Sequence, residues 1–345
     1  MTDSMRETRA IALASLVTGV LYFSGLFTIL TPLPILYLSA VRGVRAGWIS
    51  AALVVSAVSA VYLFMLPEAA QGEGGLSLML VPGQGLAGFL SRETIAIGGV
   101  GYIVFFVAVA LTMSWGASRK MDLMRWGGFA LGVGLAVMAT SLAAVLWFGP
   151  NELLGGVRSY IALVFAEVAK AGGEAGEGSA QLLFLAEHAE EVADYSLRLM
   201  PSLAFVYAVL VVAINMVLCR RMIRGHHAFS HVHNVARFRM PDALIWILIA
   251  SGCLFFADSY VLGTGWLKVV ALNGVIAIGS LYFLQGMAVI VYFLQGIRMP
   301  LIRTLAYVAM ILFLQTVSVG LLLVGIADVW VDFRLRRWRA LHNHS

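Results

Sequence analysis

Charge is what this sequence has least of. Only 12% of its 345 residues are Asp, Glu, Lys or Arg, whereas a soluble domain carries about 25% because its surface must face water. A water-facing surface for a chain of this length is therefore excluded. Cysteine is equally scarce: Cys219 and Cys253 lie in or beside apolar stretches and imply no disulfide framework. The chain has no G-x-S-x-G elbow, no H-E-x-x-H and no Walker P-loop. Acids inside the apolar runs are too few for an intramembrane protease, so an enzyme is not expected. With no ATPase domain, energy coupling would fall to a partner or an ion gradient. Runs of about ten residues alternating apolar and polar are missing too, which argues against a transmembrane barrel.

What the sequence has is length of apolar run. Hydrophobic residues make up 61% and mean hydropathy is +0.92. The runs suit a hydrocarbon layer of about 30 Å, crossed by roughly 20 helical residues, and lipid offers the backbone no other partner. The expectation is an all-α, polytopic transmembrane helix bundle of about 8–10 membrane segments. The net charge of +5 does not point to nucleic acid, because the arginines sit at the ends of apolar runs, as the cytoplasmic side of a membrane protein requires. A bacterial inner membrane with the N-terminus cytoplasmic is the expected setting. The apolar run after Arg6 and Arg9 is too long for a signal peptide and reads as a retained first span.

Along the chain, the first span covers Ala10–Leu30 and is broken by Thr31-Pro32-Leu33-Pro34. Ile35–Val41 is then either a short second crossing or the bent end of the first. Further spans are read at Ala46–Leu66, Ile95–Trp115, Gly127–Phe148, Ser202–Leu218, Ala243–Ala257, Leu267–Leu294 and Ile302–Ile326. Leu76–Leu90, interrupted by Pro82 and three glycines, suits a short or re-entrant helix. Asn151–Arg198 holds eight acidic residues and two amphipathic stretches. Four regions result: an N-terminal transmembrane bundle (1–148), an acidic extracytoplasmic helical hairpin (149–200), a C-terminal bundle (201–327) and a basic tail (328–345). The Arg220–Arg239 loop contains no acid and is expected inside. One conflict arises: a single crossing by Ile302–Ile326 would put Arg334, Arg336, Arg337 and Arg339 outside.

Gly83-Gln84-Gly85-Leu86-Ala87-Gly88 spells G-x-G-x-x-G, but an all-helical context gives it helix packing rather than dinucleotide binding. Gly128-x-x-x-Gly132 marks a helix–helix contact, within the chain or between subunits. His226, His227, His231 and His233 have metal-ligand spacing but stand among arginines without an acid or thiol. They are weak metal candidates, and neither a metal nor another cofactor is expected. Polar residues within apolar stretches are the better leads, since hydrocarbon penalises them. Asn273, Gln285, Asn215 and Asp258 are therefore the substrate-cavity candidates, with interhelical bonding as the alternative. Asp328 and Asp332 are four apart and share a face if helical, with Arg334 close enough to pair. These three are the candidates for a structural clamp or a partner-docking site.

Three blocks then carry a resemblance: Pro241-Asp242-Ala243-Leu244-Ile245-Trp246, Asn273 with Tyr282-Phe283-Leu284-Gln285-Gly286, and Asp328-Val329-Trp330-Val331-Asp332-Phe333-Arg334. They resemble the YybS-like family, bacterial membrane proteins of unknown function. That family is in turn similar to the S components of energy-coupling-factor vitamin importers and, more distantly, to the membrane subunit of rod-shape morphogenesis. The resemblance implies a compact bundle of about six core helices with broken, Gly-rich segments. It implies a transporter-like protein that binds a small solute between helices. The alternative is a non-transporting scaffold that recruits envelope or cytoplasmic proteins. The partners expected are the bilayer, a small solute and a protein, but no nucleic acid.

Overall fold

The computed structural model describes residues 3–65, 92–119, 121–149, 153–174, 184, 187–222, 238–297 and 299–342. Among them the chain forms α-helices and no strand. In order these are α1 (Asp3–Phe23), α2 (Pro32–Arg42), α3 (Val44–Ala60), α4 (Arg92–Ser118), α5 (Leu123–Phe148), α6 (Leu153–Glu174) and α7 (Ala189–Met222). There follow α8 (Leu244–Ala257), α9 (Trp266–Gln295), α10 (Pro300–Leu312), α11 (Leu314–Val331) and α12 (Phe333–His342). Among the described residues, seven segments are long and apolar enough to cross a membrane: Val44–Leu63, Thr94–Ser118, Met124–Phe148, Ala189–Met222, Leu244–Leu262, Trp266–Gln295 and Leu314–Val331. The polytopic all-α bundle expected from composition is what the chain forms. Leu76–Leu90, with its Gly83–Gly88 motif, and the four histidines of the basic loop lie outside the described residues.

The chain divides into two compact units, the first comprising residues 1–121, 126–200 and 210–230. Here the proline break acts as the sequence suggests. Thr28–Leu30 tightens into a 3₁₀ turn, Pro32 opens α2, and that helix returns between α1 and α3. α1 and α3 consequently run parallel. Ser15 bonds Ser50 (2.9 Å between hydroxyls) near one end, and Tyr22 bonds Tyr62 (3.0 Å) near the other. The Tyr22 hydroxyl also donates to the Gly99 carbonyl at 2.7 Å, where any Cβ would strike the Tyr62 ring. The α4–α5 corner is fixed by Trp126, whose buried indole N–H donates to the Met113 carbonyl at 2.6 Å.

α7 departs from the expected reading. Its acidic amphipathic start and its apolar span form one continuous helix of 34 residues with Pro201 inside it. A proline deletes a single backbone bond, and the helical turns on both sides carry the chain through it. Near its start Asp194 and Glu190 meet Arg158 of α6, at 2.7 and 3.6 Å.

The second unit comprises residues 122–125, 201–209 and 231–345. α8 and α9 form an antiparallel hairpin, in which Gly274 leaves room for Ser251. α9 and α11 cross at backbone contact: a Cβ on Gly286 would collide with the Leu321 carbonyl, and one on Gly325 with the Tyr282 carbonyl. Small residues that let backbones meet are a main source of helix association in lipid, where hydrophobic exclusion is absent.

Ile302–Ile326 is not one span. It divides at Phe313 (φ −99°, ψ 21°) into α10 and α11. α10 has 13 residues and rises about 20 Å, short of the ~30 Å hydrocarbon layer. The segment from Gly296 onward ends where it starts, because Arg337 reaches back to the Phe293 carbonyl (3.3 Å) and fills the space over Gly296. The conflict in the arginine count thus disappears: Arg334 and Arg337 sit at the same end of this unit as Phe238 and Arg239.

Candidate functional site

Asp328 is the centre of a buried polar cluster in the second unit. It lies near the end of α11 and is fully buried, while the Arg334 side chain is 11% exposed. Arg334 Nη2 donates to Asp328 Oδ2 at 2.6 Å, and Gln285 Nε2 donates to the same oxygen at 3.0 Å. The Phe333 N–H donates to Oδ1 at 3.2 Å. Gln285 Oε1 in turn accepts the Met240 N–H at 2.9 Å, and Arg334 Nη1 donates to the Phe238 carbonyl at 2.7 Å. Three chain segments far apart in sequence are tied together around one ion pair.

The backbone turn that allows this is Asp332. Its φ of 46° makes it the one non-glycine residue of positive φ among the described residues, a conformation that Asp tolerates better than most. It ends α11 and begins α12, its Oδ1 accepting the Leu335 N–H at 3.3 Å. Its Oδ2 takes Arg239 Nη1 at 2.9 Å, and the other arm of Arg239 reaches Asp242 at 3.3 Å. Asp328, Asp332 and Arg334, expected as a clamp or docking site, are thus brought together. Sequence reasoning missed Arg239, which stood only as one charge in a basic loop. It also missed the Phe238 and Met240 backbone groups, which have no sequence signal, and Gly325, for which a small residue in an apolar run was the available hint.

The cavity candidates are not brought together. Asp258 closes the opposite end of the α8–α9 hairpin. One oxygen accepts the Thr264 N–H (2.9 Å) and hydroxyl (2.6 Å), the other the Gly265 (2.9 Å) and Lys268 (3.1 Å) N–H groups. Those are unpaired donors at the start of α9, where a carboxylate also meets the positive end of the helix dipole. Replacing Asp258 by Ala is expected to fray α9, read as faster amide exchange at Gly265–Lys268 with no change around Gln285. Asn273 Oδ1 accepts the Ser202 N–H at 2.9 Å, and its Nδ2 donates to the Val269 carbonyl at 2.9 Å. Asn215, in the first unit, is fully buried and donates to the carbonyls of Ile29 (2.7 Å) and Val211 (2.8 Å). Its Oδ1 is buried with no hydrogen-bond partner among the described residues, as is the Tyr282 hydroxyl in the second unit.

Two levels of a bilayer can be read from these clusters. Trp266 to Gln285 on α9 is a rise of about 30 Å, one hydrocarbon thickness. Exposed Tyr260 and Trp266 flank the Asp258 end, and exposed Trp246 and Trp330 the Asp328 end, as interfacial aromatic belts do. No group of three or more His, Cys, Asp or Glu side chains suited to a metal occurs among the described residues.

A family model described as "predicted membrane protein (DUF2232)" matches residues 86–329. The chain belongs to this family. The matched residues include Gln285 and Asp328, and the helices from α4 to the end of the α9–α11 crossing. No curated protein and no solved structure matches the chain. The protein is a multi-pass membrane protein of that family, with several helices in contact with lipid.

Proposed function

We propose that the protein is a non-enzymatic, non-transporting membrane scaffold. It would hold an envelope or cytoplasmic protein at a bacterial inner membrane, with its N-terminus and basic tail on the cytoplasmic side. The observation carrying this reading is that Gln285, Asn273 and Asp258 are engaged by backbone and side-chain partners within the second unit. Polar groups in lipid line a solute path or join helices, and these three join helices. The clamp adds support. Docking through the tail requires it to lie with the arginine-rich segment, and Arg334 and Asp332 bond Phe238 and Arg239.

Transport is the second reading, resting on the resemblance to YybS-like proteins and importer S components. Asn215 favours it: a buried amide oxygen without a donor among the described residues, beside the break between α1 and α2, is what a solute N–H or a water would satisfy. The two readings separate on gently purified full-length protein. A protein companion at fixed stoichiometry that survives Asn215→Ala is the expected result. A retained small molecule lost in Asn215→Ala, with no companion, would replace scaffolding by transport.

A further inference from the structure

α12 is fixed by some of its residues and exposes others. Asp332 and Asp328 receive its first free N–H groups, and Arg334 and Arg337 point into the unit, the latter lying over the rings of Tyr292 and Phe293. Arg336 and Arg339 are three residues apart and exposed, and Leu335 is exposed with them. The preceding turn leaves Trp330 64% exposed. α12 carries no acidic residue. Its height is set by Gln285, one hydrocarbon thickness from the start of α9, so the helix begins at the interface rather than in bulk water.

We propose that the Arg336–Arg339 face of α12 binds anionic phospholipid headgroups. Two features favour lipid over a soluble acidic partner. The exposed arginines complement a headgroup phosphate, which a guanidinium engages through paired N–H donors. The adjoining Trp330 and Leu335 would be poorly hydrated in water but suit the acyl boundary. Because the clamp orders α12 beforehand, no folding cost opposes binding. The inference does not depend on the scaffold reading, since lipid occupies this face whether or not a protein companion is held elsewhere.

The test uses the full chain in neutral detergent, titrated with phosphatidylglycerol, phosphatidylcholine or inorganic phosphate, with bound lipid counted by native mass spectrometry. Phosphatidylglycerol should bind and raise the unfolding temperature, while the other two should not. Arg336→Gln with Arg339→Gln should weaken that binding roughly thirtyfold, since each basic residue near an anionic surface contributes about 1 kcal/mol. Arg336→Lys with Arg339→Lys should retain most of it. Both variants alter exposed side chains and should match the parent unfolding temperature without lipid. Equal phosphatidylglycerol binding by the Gln variant, or an equal response to phosphatidylcholine or phosphate, overturns the proposal.

Discussion

Arg334→Met is expected to be among the most damaging single changes in the second unit, lowering its stability by about 3–5 kcal/mol. The reason is what it leaves behind. Asp328 is fully buried, and without the guanidinium its carboxylate keeps only the Gln285 amide and the Phe333 N–H as donors. The Phe238 carbonyl loses its donor at the same time. Chemical unfolding in micelles should show the loss, and amide exchange should place it at α12 and residues 238–242. Asp328→Leu with Arg334→Met removes both charges and should recover much of the deficit, as replacement of buried pairs by apolar groups often does. If the double variant proves no more stable than Arg334→Met, the uncompensated charge is not the cause.

Gly286→Leu should be comparably severe. Its Cβ would meet the Leu321 carbonyl oxygen and carbon and the Gly325 amide nitrogen, all backbone atoms that cannot rotate away. Overpacking a well-packed core typically costs about 1–3 kcal/mol, and this crossing lacks the flexible side chains that keep the cost low. The control is Gly128→Leu, because nothing lies within 4 Å of a Cβ at Gly128. Purified Gly286→Leu should unfold at a much lower temperature than the parent, and Gly128→Leu near the parent value. Equal behaviour of the two would mean that α9 and α11 do not meet at their backbones.

The bundle was legible because its cause is compositional: few charges, long apolar runs and arginines at their ends need no tertiary knowledge. The proline break after α1 was legible too, since a missing N–H acts locally. α10 and α11 were not separable, because Phe313 has no helix-breaking chemistry and the division there belongs to the packing. Asp328, Asp332 and Arg334 could be found because their spacing is short. Their pairings could not, since Phe238 offers only a backbone carbonyl and the Arg239 and Gln285 side chains stand 93 and 43 residues from the carboxylates they meet. Gln285 and Asn273 were recognisable as polar residues in lipid, but whether each faces a ligand or a neighbouring helix depends on who stands opposite.

The ion pair also sets when the molecule can be finished. Arg334 bonds a carbonyl 96 residues earlier, and Gln285 bonds a carboxylate 43 residues later. During synthesis, α8 and α9 therefore enter the bilayer with the Phe238 carbonyl and the Gln285 Nε2 amide still waiting for Arg334 and Asp328. A chain cut short before Asp328 would keep its long apolar helices, but its second unit would stay unlocked. A protease that surveys nascent membrane proteins would have a clear means of telling it from a completed copy.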